Sequence, residues 1–148
     1  MKELDGNANV SVPAPIERCF ELLQDLEHYP DWYPEAVREV KILEHDAAGS
    51  AIKARTMLHV AAGPLVRDFR LTLVVDREHP RSVRLTRLAN EPSDRERFQV
   101  IWTLREHSGT QINLALHANL SVPRLLPVSG LGDKLAQGFV GAAARQLR

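Results

Sequence analysis

A single cysteine, Cys19, stands in a chain of 148 residues, so no internal disulfide braces the fold, a pattern that suits a reducing compartment. Aromatic residues are scarce, at 5%. Nowhere do about eighteen apolar residues follow one another, which excludes a membrane-spanning helix, and the opening MKELDGNANVSV lacks the apolar run of a secretory signal. An excess of one charge is also missing. Nineteen basic residues balance nineteen acidic ones, leaving no long-range field to gather nucleic acid or an anionic membrane. The chain has no GxSxG, P-loop or GxGxxG, so the hydrolase, nucleotide and dinucleotide classes lack support. Its histidines, His28, His45, His59, His79, His107 and His117, show no HExxH or similar spacing, and neither a metal nor a cofactor is expected. These absences describe a cytoplasmic protein of one domain, residues 1–148, with no nucleic-acid partner, no stable membrane insertion and an open oligomeric state.

Hydrophobic residues make up 44% and charged residues 26%, enough to build a continuous core at this length. Val10 and Val12 alternate with polar neighbours, the period of a strand buried on one side. In APIERCFELLQDL the apolar Ile16, Cys19, Phe20 and Leu23 recur at helical spacing, with Pro15 fitting a first turn. Pro30 ends that helix at the latest, and Pro30 and Pro34 bracket DWY, leaving room for one short helical turn. From Val37 onward the pattern becomes strand-like. Turn residues interrupt it at HDAAG (45–49), AAGP (61–64), REHPRS (77–82), NEPSD (90–94) and HSG (107–109), which predicts six successive strands. VPRLLPVSGLG then connects to a closing helix over roughly 130–148, with Leu131, Leu135, Phe139, Ala142 and Ala143 along one stripe.

Parity within the strands assigns an inside. Ile52, Ala54, Thr56, Leu58 and Val60 share one face, as do Phe69, Leu71, Leu73 and Val75, then Phe98, Val100, Trp102 and Leu104, then Ile112, Leu114, Leu116 and Leu120. Asp68, His59 and His117 fall on outer faces. A meander of this kind, covered by a final amphipathic helix, is an α+β arrangement with a strongly bent antiparallel sheet.

Several stretches resemble one superfamily. VPAPIERCFELLQDLEHYPDWYP resembles the opening of the START-like (SRPBCC) group, in which a strand ending in valine and proline leads to a helix and then to aromatic residues beside prolines. VREVKILEHDAAG, GPLVRDFRLTL, FQVIWTL and GTQINLAL are similar to its later strands. The group includes polyketide cyclases, coenzyme Q-binding proteins, ligand-transfer domains and birch-pollen-allergen-like proteins. The resemblance implies the helix-grip fold, with a seven-stranded antiparallel sheet wrapped around a long C-terminal helix and two short helices after strand 1. It also implies a cavity between sheet and helix that holds a sterol, lipid, isoprenoid quinone or aromatic polyketide.

The candidate ligand-binding set combines parity with this resemblance. Trp32 and Tyr33, with Tyr29 beside them, are placed at the cavity mouth, although Trp32 has an alternative as a core plug. Thr56, Leu58, Val60, Phe69, Leu71, Leu85, Phe98, Val100, Trp102 and Leu116 point inward from strands, and Leu135 and Phe139 from the last helix. Arg87 shares its face with Val83 and Leu85, so it needs a carboxylate, a carbonyl or a ligand oxygen, unless a bulge turns it to solvent. In the polyketide-cyclase branch a cavity arginine orients substrate and stabilises enolate charge, which makes Arg87 the candidate catalytic residue; otherwise the catalytic set is unknown. Gly130, Gly132, Gly138 and Gly141 are many glycines for one helical segment. They leave space for a cavity, allow close packing, or show that the helix begins later. Cys19 reads as a small buried hydrophobe. Arg77, Arg81, Arg84, Arg87, Arg95 and Arg97 are interleaved with Glu78, Glu91, Asp94 and Glu96, which favours a mixed-charge surface. Three functions remain open: a binding protein for a hydrophobic small molecule, an enzyme of the polyketide cyclase or aromatase type, and an interaction module that uses its outer surface.

Overall fold

A computed structural model describes residues 2–63, 65–122 and 125–148. The predicted elements form in the predicted order. Strand β2 (Gly6–Val12) precedes helix α1 (Ile16–Gln24), a 3-10 turn (Leu26–His28) and the one-turn helix α2 (Tyr29–Trp32). The six strands that follow are β3 (Val37–His45), β4 (Ala51–Ala62), β5 (Leu65–Glu78), β6 (Ser82–Arg87), β7 (Arg97–Glu106) and β8 (Thr110–Leu120), and α3 (Leu131–Leu147) closes the chain. An eighth strand, β1 (Lys2–Glu3), pairs with the end of β8. Two residues carry no readable period, so only tertiary pairing reveals this strand. The turn at 61–64 and the connection after β8 include Pro64, Pro123 and Arg124, which lie outside the described residues.

The sheet runs β1-β8-β7-β6-β5-β4-β3, with β2 also on β8, and every pairing is antiparallel. Alternation places Leu58, Val60, Phe69, Leu71, Leu85, Phe98, Val100, Trp102 and Leu116 on one buried face. Helix α3 packs across that face, touching β2, β8 and β4. Helix α1 buries Ile16, Cys19, Phe20 and Leu23, as its spacing requires. Its last turn is held by Arg77, whose guanidinium donates to the Gln24 carbonyl at 2.9 Å, to Gln24 Oε1 at 3.0 Å and to the Ala51 carbonyl at 2.6 Å. These bonds satisfy a carbonyl that a helix end leaves without an intrahelical partner.

Of the glycines in the last segment, Gly132 and Gly138 serve close packing. Gly130 precedes the helix at φ 76°, so the helix begins later than residue 130. At Gly132 a Cβ would run into the Asp5 carbonyl, and at Gly6 one would run into the Gly132 carbonyl. The first turn of α3 therefore crosses the β1–β2 corner backbone to backbone, where the Asn7 N–H donates to Asp133 Oδ1 at 3.0 Å.

Candidate functional site

Between sheet and helix lies a small, almost wholly apolar cavity. The sheet lines it with Thr56, Met57 and Leu58 from β4, Leu71 and Leu73 from β5, Leu85 from β6, and Phe98 and Val100 from β7. Leu26, Tyr29, Val37 and Phe139 complete the wall. Its volume is about 20 Å³, room for the centre of roughly one water molecule. The two hydroxyl protons in the wall are already used. Thr56 Oγ1 donates to the Leu71 carbonyl at 3.0 Å, and Tyr29 Oη donates to the Leu23 carbonyl at 2.5 Å. Burial pushes the Tyr29 phenol up from its ordinary range, against a smaller opposing effect of the nearby Trp102 indole. Trp102 Nε1 and Trp32 Nε1 are buried and find no hydrogen-bond partner among the described residues.

Of the sequence candidates, Thr56, Leu58, Leu71, Leu85, Phe98, Val100 and Phe139 meet around this cavity. Val60, Phe69, Trp102 and Leu116 are buried on the same inner face but stand away from the wall, and Leu135 is half-buried. Trp32 and Tyr33 also lie off the wall. Trp32 packs between Tyr29 (centroids 4.7 Å) and Tyr33 (6.3 Å), and Tyr33 meets Phe139 edge-on at 4.9 Å. This aromatic row, of which Trp32 and Tyr33 lie between Pro30 and Pro34, joins the elbow after α1 to α3. Tyr33 rests against Gly138, where a Cβ would strike its hydroxyl.

Arg87 keeps its inward register opposite Leu73, with no shift along β6, so the solvent-facing alternative is not what forms. Its side chain is 5% exposed and bonds Asp94 Oδ2 at 2.6 Å and the Glu96 carbonyl at 2.9 Å. The guanidinium, with help from backbone N–H groups of Asn90 and Glu96, holds the Asp94 carboxyl down at about 2. Arg87 thus anchors the β6–β7 loop and is not part of the cavity wall. Arg77 is likewise tied down, in the α1 contact.

Leu26, Val37, Met57 and Leu73 line the cavity without having been in the candidate set, and Tyr29, expected at its mouth, forms part of the wall. Leu73 has the inward parity and Tyr29 lies in the aromatic cluster, so both were within reach of sequence reasoning. Leu26 belongs to the elbow, which has no period, and Val37 opens β3 just before its register shift. Met57 has outward parity and reaches the cavity where β3 is irregular, a feature alternation cannot show. His59 pairs with Asp68 across β4 and β5 at 2.7 Å, and His117 lies 3.5 Å from Asp5. Among the described residues, no three His, Cys, Asp or Glu side chains gather to hold a metal ion. Cys19 is buried and its thiol is pushed up by burial. Among these residues no helix is long and apolar enough to cross a membrane.

The chain superposes on solved structures over nearly its whole length. A START superfamily protein from Mycobacterium smegmatis aligns at a TM-score of 0.76 and 15% identity, covering 97% of this chain and 96% of that one. A protein from Thermus thermophilus aligns at 0.67 and 20% identity, with 97% and 96% covered. The di-domain ARO/CYC protein BexL of the BE-7585A biosynthetic pathway aligns at 0.68 and 12% identity, covering 99% of this chain and 50% of that one. At such identities the likeness establishes the fold, START-like helix-grip, and no more. No curated protein sequence matches significantly. The sequence profile for polyketide cyclase / dehydrase and lipid transport proteins, however, matches residues 12–144. With the grip of sheet on helix in place and the profile spanning nearly all of it, the chain belongs to the polyketide cyclase / dehydrase and lipid transport family.

Proposed function

We propose that the protein binds a hydrophobic small molecule of the lipid, isoprenoid quinone or aromatic polyketide class between its sheet and α3. The observation that carries this reading is the chemistry of the cavity wall. Among its described residues there is no carboxylate, imidazole, ammonium or guanidinium, and its two hydroxyl protons are committed to backbone carbonyls. Such a wall contributes affinity through buried apolar area, about 25 cal/mol per Å², and offers little to proton transfer. Leu58, Leu71, Leu85, Phe98, Val100 and Phe139 are the residues that would contact the ligand.

Pockets for drug-sized ligands usually measure about 300–1,000 Å³, and this cavity is about 20 Å³. Uptake therefore requires Leu26, Tyr29 and Phe139 to draw back from the sheet, exchanging their own apolar contacts for those of the ligand. The cyclase reading needs a group that assists proton transfer to reach the bound molecule. Arg87, the candidate for that role, is tied to Asp94 and Glu96. Native mass spectrometry of the protein purified from its own host is expected to show a bound lipophilic species that organic extraction recovers. A protein that carries no adduct and binds no member of a quinone, fatty-acid and polyketide panel would overturn the proposal.

A further inference from the structure

On the outer side of the sheet a second depression, about 480 Å³ and open to solvent, spans β3, β4 and β5. Four cations line it: Arg38, Lys41, Arg55 and Arg70, with Glu39 as the one acid. Lys41 sits directly opposite Arg55 across the β3–β4 ladder, and Arg70 lies opposite Met57, diagonal to Arg55. Like charges in such positions destabilise a sheet. All four cations are exposed, and among the described residues none has a carboxylate within ion-pair distance. The chain as a whole is neutral, so this unmatched concentration is a local feature.

Its position relates it to the cavity. The depression and the cavity share Thr56 and Met57, and the depression extends to Pro30 of α2, the helix whose Tyr29 closes the cavity. Here the edge strand β3 shifts register between Val37 and Glu39, which sets Arg38 at the irregularity. Arg38 therefore stands beside the seam where α2 meets β3, and Lys41, Arg55 and Arg70 continue the cationic depression outward from it along β3 and across to β4 and β5.

We infer that the ligand is an anionic amphiphile, its apolar body in the cavity and its carboxylate or phosphate held at this seam by Arg38, Lys41, Arg55 and Arg70. An anionic oxygen there would relieve the cross-strand repulsion and receive charge-assisted hydrogen bonds. This inference rests on the binding reading above and adds the chemistry of the ligand's head.

The test compares oleate with oleyl alcohol, the same chain with and without the charge, by calorimetric titration of the wild type and of an Arg55→Gln/Arg70→Gln variant. Both substitutions are on the exposed sheet face, and a melting curve confirms that the variant folds. Oleate is expected to bind the wild type more tightly than the alcohol, with an affinity that falls as salt rises. In the variant oleate should weaken by about tenfold, the loss of roughly one screened charge contact or two, while the alcohol changes less than about twofold. Equal affinity for acid and alcohol, or a variant that leaves oleate untouched, would overturn the anionic head and leave the cavity reading intact. Failure of both compounds to bind the wild type would overturn the two together. Octanoate or inorganic phosphate binding as tightly as oleate would identify a site for free anions and sink the amphiphile.

Discussion

Arg87 follows Val83 and Leu85 onto the inner face of β6, where an unpaired guanidinium would be too costly to keep. Asp94 and the Glu96 carbonyl supply what it needs. Alternation placed the residue on the right face, but the partners come from a loop whose shape carries no period. The pairing has a measurable signature. The Asp94 carboxyl is held down at about 2, whereas an unperturbed aspartate titrates near about 3.9. Its stabilising contribution is therefore complete above roughly pH 4 and is lost as pH falls toward about 2. Asp94→Asn should accordingly be less stable than the wild type at pH 5, with the gap narrowing by pH 2.5, as read from urea midpoints. A gap that stays constant over that range would mean the ion pair is not its source.

Helix α3 shows what a sequence says about an element and where it falls silent. Its apolar stripe predicted a buried face, and Phe139, Ala142 and Ala143 are buried on it. Its glycines allowed several explanations, and the contacts distinguish them position by position. Replacing an interior glycine by alanine ordinarily gains about 1 kcal/mol of helix propensity. At Gly132 the new Cβ meets the Asp5 backbone, which cannot step aside, so Gly132→Ala should cost a net of about 1–3 kcal/mol, as overpacking does. At Gly138 the obstacle is only the far end of the Tyr33 side chain, and Gly138→Ala should stay within about 1 kcal/mol of the wild type. Chemical denaturation of the pair separates the cases, and equal effects would mean that the α3–β2 crossing is looser than described. Strands β2 to β8 were legible because each is bounded by turn chemistry and alternates in sequence. Strand β1 was not, having two residues, and neither was the Arg77 bracket under α1, whose partners lie 53 and 26 residues away.

In the molecule as a whole, the proposed ligand would compete with closure for the same apolar surface. The cavity leaves only about 20 Å³ for the centre of a water-sized molecule, so an added methylene takes up part of the little room there is. Val100→Leu should leave unfolding free energy within about 1.5 kcal/mol of the wild type, as a one-methylene change in a tolerant core does, and should reduce ligand carriage in native mass spectra several-fold. Undiminished carriage would mean that the ligand sits elsewhere. Reading along the chain was enough to set the order of elements, the face each presents and the neutral balance of charge, because these follow from periods and turn residues within a few positions of one another. Folding in three dimensions was needed to choose which inward side chains border open space, which carboxylate neutralises Arg87, and that Lys41, Arg55 and Arg70 stand together with, among the described residues, no carboxylate in ion-pair distance. Those outcomes depend on the register between strands and on how loops close over them, and contacts of that range are set by the packing of distant segments.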